Sequence, residues 1–420
     1  MKSTVLNEVF AAFCESRTHF DSMVSKLDPS KKSKVATLLG AFLRRPLTIA
    51  GAFKIQLEGT PEEFWELSFI RLKKHAGIHA TLRDLWERWE EIPSEGSVED
   101  FPPALVSEWV RDWGEDHARK MARLLSQDPL TVIRFHRRAF GQDGRLLPEL
   151  EAWLASPGLP KSRAGFHSAR ARIFRGFASV QKNDWFKNGY FEIQDEGSQI
   201  MSLYALIPEA IRPHLGDRPR VERGSTPSIP KDIQAPPLEV VDACAGAGGK
   251  TLALSDLMGG KGRIFAYDVF ETKIRNLKQR VDRAGERNVQ ARLLPRTGDS
   301  GLAPFESKAD VVLIDAPCTG AGVLRRNPDT KWNRKPLEQA KSQGSLPIAA
   351  LQESVLEQYS RLVKPGGKLV YGVCTQNRAE STGRIERFLE THPRFSLDSS
   401  GFIGPFDTDG FYMASLRAGE

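Results

Sequence analysis

The feature that most restricts this chain is an alternation that begins at Leu238. Short runs rich in β-branched and aromatic residues, at Leu238–Asp242, Arg263–Tyr267, Val289–Leu294, Asp310–Ile314 and Lys368–Val373, alternate with stretches of helical pattern. A last strand is expected at Phe411–Leu416. Strands that alternate with helices pair side by side in the same direction, because each helix carries the chain back across a face of the sheet. The expected fold class is therefore α/β, with a mostly parallel, doubly wound, Rossmann-like sheet. Such sheets hold their ligands beyond the carboxyl ends of the strands.

The first strand runs into Ala243–Thr251, which reads Ala-Cys-Ala-Gly-Ala-Gly-Gly-Lys-Thr, and then into a helix. Glycines at a strand-to-helix turn let backbone N–H groups approach a ligand. Two ligands compete for this turn. A phosphate-binding loop needs G-x-x-x-x-G-K-[ST], and Gly249-Lys250-Thr251 supplies its end, with Val311–Asp315 as the acidic strand. Its first glycine would fall at position 244, which is Cys244, so the match fails where the backbone most needs freedom. An adenosine-containing cofactor instead needs an acid at the end of the next strand to accept from ribose hydroxyls. Asp268 stands there, and Asp299 follows the third strand, placed to meet an adenine amino group. The candidate cofactor contacts are Cys244, Ala245, Gly246, Ala247, Gly248, Gly249 and Lys250, with Asp268, Asp299 and Asp315.

Strand four ends in Asp315-Ala-Pro-Cys318, and strand five in Tyr371-Gly-Val-Cys374. Both loops leave the carboxyl ends of strands, so two thiols and a carboxylate should converge beside the cofactor. That combination suits methyl transfer to carbon 5 of cytosine. This carbon is too poor a nucleophile to attack a sulfonium until a thiolate adds to carbon 6 and makes it enamine-like. A carboxylate near N3 and the exocyclic amine fixes the base. The proton left on carbon 5 must then be removed, and a second thiol can assist. Free cysteine is mostly protonated near neutrality, so the site must favour thiolate. The sulfonium and Lys250 are the candidates for that charge. On these grounds alone, either cysteine can be drawn as the nucleophile.

With these residues in order, the sequence resembles the RNA cytosine-5 methyltransferase family that includes bacterial ribosomal small-subunit methyltransferase B and the Nop2/Sun proteins. The resemblance covers about 189–416 and takes in Gln194–Gln199, the 244–251 turn, Asp268, Asp299, Asp315–Cys318, Arg325–Asp329, Cys374 and Asp409–Ala414. It implies that Cys374 attacks, that Cys318 assists release, that Asp315 contacts the base, and that S-adenosylmethionine is the cofactor. It also implies a helical RNA-binding region ahead of the catalytic domain. Two departures stand out. Gly246-Ala247 replace the family's Ala-Pro, and Gly372-Val373 replace the Ser-Thr before the nucleophile, with Ser381 where an Asn is usual.

Three domains are expected: 1–95 helical, 100–190 an α+β RNA-binding region, and 191–420 catalytic. Thr60-Pro61-Glu62-Glu63 forms a helix start, and Ser30 begins another helical stretch. Glu95–Pro103 reads as a linker. Leu105–Leu125 reads as helix with a break near Gly114, and Leu130–His136 as a strand. Residues 214–237 read as a long exposed loop. Between 161 and 182 six basic residues stand without an acid, interleaved with Phe166, Phe174 and Phe177. Basic groups neutralise phosphates and aromatic rings stack on unpaired bases, so Arg170, Arg172 and Arg175 are candidate RNA contacts. A net charge of +7 allows such a partner.

No run of eighteen apolar residues is present, the start is acidic too early for an export signal, and the four cysteines, Cys14, Cys244, Cys318 and Cys374, form no C-x-x-C pair. The expectation is a cytoplasmic monomer without metal or membrane that acts on ribosomal RNA. The alternatives are transfer RNA as substrate, or a non-catalytic RNA-binding assembly factor.

Overall fold

A computed structural model describes residues 40–52, 93, 95–174, 180–222, 229–230, 232–294, 301–332, 348–406 and 408–420. The chain divides into two compact units: residues up to Pro129 with Gly320–Ser345, and Leu130–Thr319 with Leu346–Glu420. Residues 100–190 therefore fall on both sides of the division.

The second unit contains two sheets. Strands β1 (Thr131–Phe135), β2 (Ser162–Ala164), β3 (Ala171–Phe174) and β4 (Phe191–Ile193) form an antiparallel sheet in the order β2-β3-β1-β4. The larger sheet is built from β5 (Glu239–Asp242), β6 (Arg263–Asp268), β7 (Val289–Leu293), β8 (Ala309–Asp315), β9 (Val363–Val373), β10 (Phe395–Ile403) and β11 (Phe411–Ala418). Its order is β10-β11-β9-β8-β5-β6-β7. Strands β5 to β9 pair in parallel, and β11 runs antiparallel between β9 and β10. This is the doubly wound sheet expected from the alternation, with its order reversing between β5 and β8. A crevice opens at such a reversal because the flanking connections leave toward opposite faces.

Val240, Val241, Val311, Val312, Leu313, Leu369 and Val370 are all buried, as parallel strands covered on both faces must be. The helix Glu196–Leu206 lies against this sheet with nearly every side chain buried. Gly197 is required there, because a Cβ would stand 2.7 Å from the Phe411 ring. The helix begins at Asp195, whose side chain accepts from Gly197 N at 2.9 Å and Asp409 N at 3.2 Å.

The sequence did not announce β10. It is an edge strand, and its middle residues, Ser396 to Ser400, are partly exposed and, Leu397 apart, polar, which reads as loop. Nor did it announce β3, whose Arg172 belongs to the basic stretch but whose Ile173 and Phe174 are core. The 214–237 segment is less exposed than expected: His214, Ile229 and Ala235 are buried, and Ile229 N donates to His167 O at 2.6 Å.

In the first unit, the helices Pro103–Trp113 and Glu115–Ser126 break at Gly114 with φ 84°, as the pattern indicated. The expected linker is packed instead. Asp100 is fully buried and accepts from Leu47 N at 2.9 Å and Thr48 N at 3.0 Å, capping the helix Pro46–Ala52. Polar residues that serve as caps look like linker residues in a sequence, because both uses favour Ser and Asp. Thr60–Glu63, Ser30 and Cys14 lie outside the described residues.

Candidate active site

Because β8 and β9 are parallel neighbours, Asp315 stands opposite Gly372, and Ala316 N donates to Gly372 O at 2.8 Å. Cys318 and Cys374 therefore leave the sheet side by side. Their Sγ atoms are 3.1 Å apart, well beyond the length of a disulfide bond, so both are free thiols in contact. The glycine before Cys374 has a packing reason. A Cβ on Gly372 would lie 2.8 Å from Met201 Sδ and closer still to its Cε. Methionine at 201 thus fills the place that a serine at 372 would need.

Lys250, in the first turn of the helix Gly249–Leu257, reaches across the reversal point and donates to Asp315 Oδ2 at 2.7 Å. Burial alone would lower its ammonium, but Asp315, then Cys374 and Asp242, outweigh that and hold it above its ordinary value. A cation therefore stands beside the cysteine pair. Cys244 differs. Burial, then Asp315, Asp242 and Asp268, push its thiol up, so it stays protonated and is unsuited to attack.

Asp242, at the end of β5, is fully buried and accepts from Thr251 Oγ1 at 2.6 Å. Burial pushes its carboxyl up to about 7, Asp315 and Asp268 add to this, and the Thr251 bond and Lys250 oppose it.

The turn itself is set by glycines. Gly246 and Gly248 have φ of 54° and 86°, and a Cβ on Gly248 would strike Leu277 at 2.7 Å. The flexibility brought by Gly246-Ala247 is offset by two anchors. Gly246 N donates to Asp268 Oδ2 at 2.9 Å, and Arg280 Nη1 donates to Ala247 O at 2.9 Å. Arg280 was not singled out in the sequence, where it is one charge among many on an amphipathic helix.

Beside Asp268, Val269 and Phe270 are 40% and 50% exposed, and Leu293 at the end of β7 is 49% exposed. Exposed apolar side chains next to a glycine turn and an acid suit an aromatic ring with a hydroxylated sugar. Asp299 lies outside the described residues.

Arg170 and Arg172 do not share one surface. Arg170 is 6% exposed and bonds Asp256 Oδ2 at 2.9 Å, in a buried cluster where Arg134 bonds the same oxygen at 2.8 Å. Arg137 bonds Glu286, and His136 Nε2 lies 2.7 Å from Glu286 Oε1. This cluster fastens the smaller sheet to the helix Gly249–Leu257. Its carboxylates already meet guanidinium groups, a poor setting for a cation. Arg172 bonds Ser162 Oγ at 3.1 Å, and Arg175 lies outside the described residues.

The Arg325–Asp329 stretch belongs to the first unit. There Lys331 is buried, donating to Arg44 O at 2.7 Å and Asp100 O at 2.9 Å.

Residues 233–417 match the family model described as 16S rRNA methyltransferase RsmB/F. A Bacillus subtilis (strain 168) protein named "Probable ribosomal RNA small subunit methyltransferase B" is 28% identical over 387 residues, covering 84% of this chain and 76% of that one. The crystal structure of PH0851 superposes with a TM-score of 0.68 at 20% identity, covering 98% of each chain. NSun6 from Pyrococcus horikoshii, solved with SFG, gives a TM-score of 0.57 at 19% identity, over 76% of this chain and 99% of that one. At these identities the two structures establish the fold.

Proposed function

Since this chain belongs, through residues 233–417, to the RsmB/F family of 16S rRNA methyltransferases, we propose that it methylates carbon 5 of a cytosine in ribosomal RNA through a covalent bond from Cys374. One observation carries this reading: two free thiols in contact at the ends of β8 and β9, with the Lys250–Asp315 pair beside them. A single cysteine would fit many roles. Two sulfurs placed together fit a reaction that works on adjacent carbons of one ring.

S-adenosylmethionine, when bound, supplies the methyl group as a sulfonium. Asp268 would hold its ribose, and Val269 and Phe270 would cover its adenine. Cys374 Sγ, as thiolate, bonds to carbon 6, and the electron pair of the carbon 5–carbon 6 bond becomes available at carbon 5. Asp315 accepts from the exocyclic amine and holds the base, while Lys250 keeps that carboxylate oriented. After methylation, Cys318 helps take the proton from carbon 5. The electrons of that C–H bond re-form the double bond, and the bond to Cys374 breaks.

The test is a denaturing gel of single mutants incubated with ribosomal RNA and cofactor. Cys318→Ala is expected to give an SDS-stable, ribonuclease-sensitive band, since attack proceeds and release is slowed. Cys374→Ala and the double mutant are expected to give none. A stable band from Cys374→Ala would reverse the roles. Full activity in both single mutants, with no band, would remove covalent catalysis. Counting methyl groups transferred by the wild type to ribosomal RNA and to transfer RNA in parallel separates the alternatives: methylation of transfer RNA alone would make that the substrate, and methylation of neither would leave RNA binding without turnover.

A further inference from the structure

Glu380 takes no part in the chemistry above, yet its carboxylate is where the two cysteine loops meet. It is 4% exposed and lies just before the helix Thr382–Thr391. One oxygen, Oε2, accepts from Thr319 N at 3.0 Å and Gln352 Nε2 at 3.0 Å. The other, Oε1, accepts from Thr319 Oγ1 at 2.6 Å. Thr319 directly follows Cys318. Its hydroxyl shares a 3.2 Å hydrogen bond with the hydroxyl of Thr375, which directly follows Cys374 and is fully buried. The Gln352 amide also donates to Pro317 O at 2.9 Å, so the cysteine loop after β8 is held on both sides of Cys318. Tyr371 on β9 donates its hydroxyl to the backbone carbonyl of Glu380 at 2.8 Å, tying the same residue to the strand that ends in Cys374.

A buried carboxylate is costly unless its oxygens are hydrogen-bonded. Here one backbone and two side-chain donors satisfy it, and two of the three belong to the residue adjoining Cys318. Neither loop has regular structure at its cysteine, so the sheet alone sets the strand ends, not the sulfur positions. A charge-assisted network across both loops supplies that missing constraint.

We infer that Glu380 is a positioning residue: it holds the loops of Cys318 and Cys374 in register, so that both sulfurs face the same base. The kinetic consequence rests on the covalent reading above; the geometric one does not. Glu380→Gln has nearly the same shape but turns one acceptor into a donor facing either Thr319 or Gln352. Misplacing reacting groups by about 1 Å can cost about 100-fold in rate.

The experiment has two arms. In the first, purified protein is exposed to oxidised glutathione, and closure of a Cys318–Cys374 disulfide is followed by mass spectrometry. One thiolate displaces glutathione from the reagent to give a mixed disulfide. The other then displaces the second glutathione, so two thiols are oxidised and the reagent is reduced to two glutathiones. Closure reports the distance between the sulfurs without any methyl transfer. Glu380→Gln is expected to slow it about tenfold or more, since proximity sets such intramolecular rates. In the second arm, kcat for RNA methylation is expected to fall about 100-fold, with KM for S-adenosylmethionine and RNA unchanged. Thr319→Val, which removes only the hydroxyl bonds, should move both measurements the same way by a smaller factor and serves if Glu380→Gln does not fold. Wild-type closure rates in folded variants would overturn the proposal. So would a fall in kcat matched by a loss of cofactor affinity, which would mark a general folding role. If the wild-type protein methylates no RNA, the functional reading fails, while the closure arm still decides the role of Glu380.

Discussion

Gly372 offers a test of how the cysteine strand is packed. Its φ is not in the left-handed region, so an alanine meets no backbone strain there. The obstacle is Met201, whose Sδ would lie 2.8 Å from the new Cβ; Tyr412 O, across the strand pair, would lie at 3.3 Å. Met201 is fully buried in the core cluster that also holds Val370 and Met413, so its end has little free space. Overpacking of this kind costs about 1–3 kcal/mol, while Gly→Ala at an allowed position gains about 0.4–1 kcal/mol by restricting the unfolded chain. Gly372→Ala should therefore destabilise by about 1–2 kcal/mol, the difference of these two effects. Met201→Ala alone should cost about 2–5 kcal/mol through its cavity. In that background the clash is gone, and Gly372→Ala should become stabilising by about 0.4–1 kcal/mol. The assay is urea unfolding of all four proteins, followed by circular dichroism and analysed as a double-mutant cycle. A reversal of sign is the expected result. If Gly372→Ala costs the same with and without Met201, the side-chain clash is not the reason for glycine. Gly372→Ser, the residue that the family resemblance leads one to expect, should be harmful alone and tolerated with Met201→Ala.

Three further outcomes follow from the site. Burial holds Asp242 at about 7, above its unfolded range, so its contribution to stability is full below about pH 4 and is lost as pH rises through about 7; Asp242→Asn should flatten that fall in unfolding measurements, and parallel profiles would show that Asp242 does not titrate there. Asp268→Ala should weaken S-adenosylmethionine binding about 10- to 100-fold in calorimetry through lost charge-assisted hydrogen bonds; unchanged affinity, or magnesium-dependent ATP hydrolysis by the wild type, would contradict the cofactor assignment. Arg170→Ala should cost about 3–5 kcal/mol of stability by leaving buried Asp256 short of a partner, whereas Arg172→Ala should reduce the salt dependence of RNA binding; a stable Arg170→Ala protein with weakened RNA affinity would return Arg170 to the phosphate contacts.

The sequence by itself determined the parallel core and the positions of the candidate site residues at its strand ends. Strand and helix periods differ, so β5, β6, β7, β8 and β9 could be read from local pattern. Glycine, cysteine and aspartate at strand ends marked the loops without knowledge of their partners. What the tertiary structure decided concerns groups whose role depends on a distant neighbour. In the sequence Arg170 is one of several exposed-looking bases; Asp256, far along the chain, makes it an internal ion pair. Asp100 looks like a linker residue until the backbone of Leu47 and Thr48 meets it. Gly372 looks like a departure until Met201 occupies the vacated space. Glu380 carries no local signature, because its carboxylate gains a purpose only from Thr319 and Gln352. Periodicity is a property of neighbours in sequence and survives in the letters. Hydrogen-bond satisfaction and steric fit are properties of neighbours in space, which only the folded chain brings together.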